Sequence, residues 1–153
     1  MKRISTYFFI LLVVISITFF SCKKYPDGPA FSLRSKSERL SNLWKIEQYK
    51  YNGSDSTAFV KKYLFNNYRL DIEKKGEYIF DYNLVIGSAL IPISESGKWV
   101  FSGDKKSVIF TKESGNTSAA AGTNATWEIL RLKEKEFWAK YTQDDNVIEV
   151  HFN

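Results

Sequence analysis

Between Leu43 and Phe152 apolar side chains recur at every second position, and this alternation limits the fold more than any other property of the chain. In 77–84, Tyr78, Phe80, Tyr82 and Leu84 share one face, while Glu77, Asp81 and Asn83 take the other. In 147–152, Ile148, Val150 and Phe152 alternate with Glu149 and His151. A period of two marks a strand with one face buried and one solvated. The same reading places strands at 44–51, 68–74, 96–102, 107–111, 126–133 and 136–142, making eight in all. Turn chemistry separates them at Lys74-Lys75-Gly76, Ser102-Gly103-Asp104-Lys105 and Gln143-Asp144-Asp145-Asn146. Short sequential links imply an antiparallel meander. Eight such strands remove their edges by closing, which leaves room for packed side chains or one small ligand. The expected fold class is all-β: an eight-stranded (eight to ten) antiparallel up-and-down barrel.

Some segments depart from the period. In 57–66, Phe59, Val60, Tyr63 and Leu64 fall at helical spacing behind Ser54-Asp55-Ser56, which predicts one short helix after the first strand, over an end of the barrel. Ser35-Lys36-Ser37-Glu38 has the form of a capping box and predicts a short helix to about Asn42. Segment 85–93 reads as a rim, because Pro92 argues against a central strand. Segment 112–125 is small and polar, and is either a flap over the barrel mouth or a disordered loop.

The N-terminus carries a separate signal. Lys2 and Arg3 precede an apolar run over 7–20, shorter than the roughly 17–25 residues of a membrane span. It has the length of a secretory apolar core. The run ends at Ser21-Cys22, followed by Lys23-Lys24. This arrangement resembles a bacterial lipoprotein signal with its lipobox. The resemblance implies that Cys22 takes a diacylglycerol on sulfur, that the bond before it is cut, and that its new amine can be acylated. Pro26, Gly28 and Pro29 read as an extended tether. The expected organisation is a signal peptide over 1–21, a lipidated tether over 22–34 and a barrel domain over 35–153. Lys23, not Asp, follows Cys22, which by the same resemblance favours the outer membrane, on its periplasmic or its cell-surface side. The partner so implied is the lipid bilayer, reached through acylated Cys22.

Composition narrows the chemistry. The net charge is +5, and +3 once Lys2 and Arg3 are gone, so no nucleic-acid footprint is present. One Cys excludes an intrachain disulfide and a multi-thiolate zinc site. One His, read as exposed on the polar face of the last strand, leaves no nucleophile with a confident base. No Gly-rich phosphate loop or metal motif occurs, so neither a metal nor a cofactor is expected. Asp71 with Glu73, and Glu77 with Asp81, share strand faces; they are solvated carboxylates or, in a pocket, a pair for hydrolysis. The expectation is that the chain is not an enzyme.

The aromatics are the remaining resource: twelve Phe, nine Tyr and four Trp. Trp44, Trp99, Trp127 and Trp138 fall on four predicted strands, where they line a cavity or pack a core. Phe137 and Trp138 are adjacent, so one of them faces out. Leu43-Trp44-Lys45-Ile46, the Lys-Gly-Glu-Tyr hairpin within 68–84, Gly97-Lys98-Trp99-Val100-Phe101 and Trp127-Glu128-Ile129-Leu130-Arg131-Leu132 resemble the strands of lipocalin-like domains. Cys22-Lys23-Lys24-Tyr25-Pro26-Asp27-Gly28-Pro29 is similar to the start of small Bacteroidetes lipoproteins that carry such a domain. The resemblance implies a lipid-anchored lipocalin-like barrel. The function expected is a membrane-anchored, non-enzymatic lipoprotein that binds a small apolar or amphipathic ligand, with Trp44, Tyr78, Tyr82, Trp99 and Trp127 as ligand-binding candidates. The alternative is an envelope interaction or structural subunit with a solid core. Asp55-Ser56-Thr57 resembles a short O-glycosylation signal of Bacteroidetes envelope proteins, with Ser56 as acceptor.

Overall fold

A computed structural model describes residues 33–153. Ten antiparallel strands form one curled sheet: β1 (Leu43–Trp44), β2 (Ile46–Tyr51), β3 (Ser54–Asp55), β4 (Asn66–Ile72), β5 (Glu77–Ile86), β6 (Ala89–Phe101), β7 (Ser107–Gly115), β8 (Asn124–Leu132), β9 (Phe137–Gln143) and β10 (Asn146–Phe152). The spatial order is β1-β4-β5-β6-β7-β8-β9-β10-β2-β3, so consecutive strands from β4 to β10 lie side by side, as the short links predict. The segment expected to be a signal peptide (1–21), Cys22 and the expected tether up to residue 32 lie outside the described residues.

The expected first strand is broken at Lys45, and its two parts serve opposite ends of the sheet. Leu43 and Trp44 pair with Asp71 and Leu70 of β4. Ile46 to Tyr51 pair with β10. Between them, Lys45 and Asn153 exchange backbone hydrogen bonds of 3.0 and 3.1 Å. The curled sheet is thus joined at the β1 end, which we call the closed end. At the other end β2 and β4 splay apart. There α2 (Thr57–Phe59), which runs on into a π-helical stretch (Val60–Leu64), packs on β2, β4 and β5. The break at Lys45 and the two-residue β3 account for ten strands against the eight expected.

Two boundaries differ from expectation. The 85–93 segment lies at the rim and is not a central strand, as expected, but it is a paired hairpin: β5 and β6 pair without interruption from Glu77↔Lys98 to Ile86↔Ala89. Pro92 is tolerated because β7 has already ended. The β6–β7 ladder stops at Glu95↔Gly115, so the missing Pro92 N–H faces no strand. The 112–125 segment is shortened at both ends, since β7 continues to Gly115 and β8 starts at Asn124, and only 116–123 remain as loop.

At the closed end the core is solid. Leu40, Trp44, Val108, Ile129, Leu132, Phe137, Ala139 and Phe152 are all essentially inaccessible. Helix α1 (Lys36–Leu40) covers this end, and its predicted capping box is present: Ser35 and Glu38 bond each other's backbone N–H. Gly97 has a backbone reason to be glycine. It sits at the β6–β7 bulge, where a Cβ would drive into the Thr111 carbonyl oxygen.

Candidate functional site

Towards the splayed end the inward-facing side chains change character. Tyr68 of β4, Phe80 and Tyr82 of β5, Trp127 of β8 and Tyr141 of β9 face inward yet are only half-buried. They form a continuous aromatic wall. Tyr68 stacks on Phe80 and Tyr82 at 6.1 and 6.3 Å between centroids, and Trp127 stacks on Tyr141 at 5.0 Å. Phe65, delivered by the i→i+5 bond from its N–H to the Val60 carbonyl, meets Tyr82 edge-on at 4.9 Å.

Within this wall sits a buried polar group of four side chains. Glu95 follows the inward parity of Gly97 and Trp99 on β6, and Lys112 that of Val108 and Phe110 on β7; both are at most 9 % exposed. The Tyr78 hydroxyl donates to Glu95 Oε1 at 2.7 Å. The Thr117 hydroxyl donates to Glu95 Oε2 at 2.5 Å. Lys112 Nζ donates to Thr117 Oγ1 at 2.7 Å and to the carbonyls of Thr117 and Ala119 at 3.0 and 2.5 Å. Loop 116–123 is therefore strapped over the splayed end by a buried ammonium. The Gly122 N–H adds a 2.8 Å bond to the Lys112 carbonyl.

Burial raises the pKa of Tyr49, Tyr68, Tyr78, Tyr82 and Tyr141 above the ordinary tyrosine value, most for Tyr68, Tyr78 and Tyr141. The Glu95 carboxylate adds to the effect at Tyr68, Tyr78 and Tyr82. These phenols stay neutral donors at physiological pH. Beside them a cleft of about 570 Å³ is lined by Tyr82, Ile93, Ser94, Gly115 and Asn116, among others. The chemistry the cleft offers is recognition: apolar contact from Tyr82, Pro92 and Ile93, with the Ser94 hydroxyl, the Asn67, Asn83 and Asn116 amides and the Asp81 carboxylate among its lining.

The five candidates named from the sequence divide. Trp44 and Trp99 are buried, and their indole N–H groups donate to the Leu40 and Glu73 carbonyls at 2.8 and 2.9 Å. Tyr78 is buried with its hydroxyl on Glu95. Tyr82 borders the cleft, and Trp127 lies in the half-buried wall. Glu95, Lys112, Thr117, Phe65, Tyr68 and Tyr141 were not singled out. For Glu95 and Lys112 a signal existed, since each is a charged residue on the apolar parity of its strand.

On the outer surface, Trp138 faces out and Phe137 in, and His151 is not exposed as expected. Trp138 lies flat on His151, centroids 4.0 Å apart, with the Arg131 guanidinium 4.5 Å above its ring. This cover leaves His151 8 % exposed, with Nε2 2.6 Å from Glu149 Oε1. Glu77 and Asp81 border separate clefts. Four residues of strand separate their Cα atoms by about 13 Å, beyond the reach of a hydrolytic pair. Ser56 starts α2, and its side chain makes no capping bond. Among the described residues no group of three or more His, Cys, Asp or Glu is placed to hold a metal ion. No helix among them is long and apolar enough to cross a membrane. Comparison with protein-family models, with curated proteins and with solved structures finds no match.

Proposed function

We propose that the chain is a membrane-anchored, non-enzymatic lipoprotein that holds one small amphipathic ligand in the splayed half of its curled sheet. The observation that carries this reading is the half-buried aromatic wall of Tyr68, Phe80, Tyr82, Trp127 and Tyr141 beside the Glu95–Tyr78–Thr117–Lys112 group. Inward-facing rings that retain exposure form a concave apolar surface, and the polar group gives it orientation. The flat body of a ligand would lie on Tyr82 and its neighbours, with a polar end towards Asn116 and the Thr117 strap. Attachment through Cys22, and with it an outer-membrane location, rests on the lipobox resemblance.

Native mass spectrometry of protein purified from its own envelope tests the reading. The expected result is an acyl mass on Cys22 together with a retained small molecule, which Tyr82→Ala and Asn116→Ala reduce while the fold persists. An unmodified Cys22 removes the anchor, and adduct-free protein removes the ligand. A second reading, an interaction or structural subunit, draws on the closed half, where Trp44, Phe137, Phe152 and Leu132 leave no room between them. A stable protein partner recovered with no small molecule would select it.

A further inference from the structure

The β5–β6 hairpin runs past the rest of the sheet. Pairing to β4 stops at Asn66↔Asn83, and pairing to β7 stops at Glu95↔Gly115. Beyond those points the hairpin is apolar on both faces: Leu84, Ile86, Ile91 and Ile93 on one, Val85, Leu90 and Pro92 on the other. Ile86 and Leu90 are 57 and 59 % exposed. A strand with one solvated face alternates, and this tip does not.

The tip is poorly suited to pair with another strand at its β6 edge. Pro92 offers no donor there, and the Asn116 side chain already occupies the Pro92 carbonyl at 2.9 Å and the Ser94 N–H at 2.8 Å. What the tip offers is side chains. Beside it, α2 and its π-helical continuation lie against β5 and expose Phe59, Tyr63 and Leu64 together with Lys61 and Lys62. Segments 56–70 and 82–94 contain Lys61, Lys62 and Arg69 and no Asp or Glu.

We propose that the hairpin tip and the exposed face of α2 dip into an anionic lipid bilayer, as a second membrane contact independent of Cys22. Apolar side chains fringed by Lys and Tyr match the boundary between headgroups and acyl chains. The uncharged stretch from Ile86 back to Tyr82 spans about 13 Å of strand, enough for a penetration of roughly 5–10 Å. Lys61 and Lys62 supply the attraction to anionic headgroups, which salt weakens.

The test places a single environment-sensitive nitrobenzoxadiazole label at Ser88→Cys in full chain carrying Cys22→Ser, with Gly103→Cys at the opposite end as control. Vesicles are phosphatidylethanolamine with about one-third phosphatidylglycerol. Emission at position 88 is expected to rise roughly threefold and shift to the blue as apolar surroundings replace water, with little change at 103. Lys61→Gln with Lys62→Gln, and separately Leu90→Asp, should each remove most of that rise while leaving the circular dichroism spectrum unchanged. No response at 88, an equal response at 103, or a response produced only by an added protein and never by vesicles would overturn the proposal. Because Cys22 is absent from the test protein, failure of the lipid anchor and failure of this contact are separate results.

Discussion

Lys112 and Glu95 face each other inside the sheet without forming an ion pair; the hydroxyl of Thr117 stands between them, accepting from the first and donating to the second. The arrangement fixes the direction of the hydroxyl proton and ties loop 116–123 to two adjacent strands. A surface loop is thereby held from below.

Removing that hydroxyl should loosen the loop before it unfolds the protein. Thr117→Val leaves a buried ammonium and a buried carboxylate each short of one partner, a cost of about 1–3 kcal/mol in urea denaturation. Thr117→Ser should restore most of it. Hydrogen exchange at the Gly122 and Thr123 amides should accelerate in the Val variant, because their bonds to Lys112 and Ala120 depend on the strap.

Gly97→Ala should destabilise by about 1–3 kcal/mol, since the new methyl meets backbone and not a yielding side chain. Gly103→Ala is the control: nothing lies near a Cβ there, and its effect should stay within about 0.5 kcal/mol. The midpoint in urea, with an unchanged slope, reads both.

Acid should weaken the fold through carboxylates held ionised. Bonds from the Thr57 hydroxyl, the Gln48 amide and the Thr57 N–H hold Asp55 at about 2, and Lys74 with Ser35 holds Glu38 at about 2. Burial works against ionisation of Glu149, but bonds from Lys50 and His151 outweigh it and keep its pKa below the usual range. These folded values lie below the unfolded ones, near 4. The associated stability is complete above that range and is lost as pH falls towards 2. Asp55→Asn should melt below the native protein at pH 6 and level with it at pH 2.

Alkali should act in the opposite sense. Five phenols have folded pKa values above the unfolded value near 10. Unfolded chains release those protons first, so stability is intact below pH 10 and falls as pH rises beyond it. Their ionisation, followed at 295 nm, should come in one step with loss of the sheet, not as separate titrations. Tyr82→Phe should reduce the amplitude of that step.

Alternation alone placed all eight main strands, and the link lengths gave their order, because burial on one face of a sheet imposes a period that polar turns interrupt. Ser35 and Glu38 were legible as a cap for the same local reason. The double duty of 43–51 was not legible: a break at Lys45 is decided by Asn153, almost the whole domain away. Pro92 marked a stretch outside any central strand; that the stretch still pairs with β5 was not legible, because it depends on where β7 ends, which is a property of the neighbouring strand. In the site, Tyr78, Tyr82 and Trp127 could be named from side-chain type. Whether an indole faces a ligand or a backbone carbonyl, as at Trp44 and Trp99, depends on contacts between elements that no spacing records. Glu95 and Lys112 were readable as charges out of phase with their surface, but each makes sense only with the other and with Thr117.

The mutual bonds of Lys45 and Asn153 also govern the order of assembly. A ribosome delivers β2 early and β10 last, so the seam must wait until nearly everything between them has been synthesised. Contacts so distant along the polymer slow folding and lengthen the period in which strand edges are open. Under the export that the proposed lipid anchor requires, that delay is useful: the seam cannot lock ahead of transit.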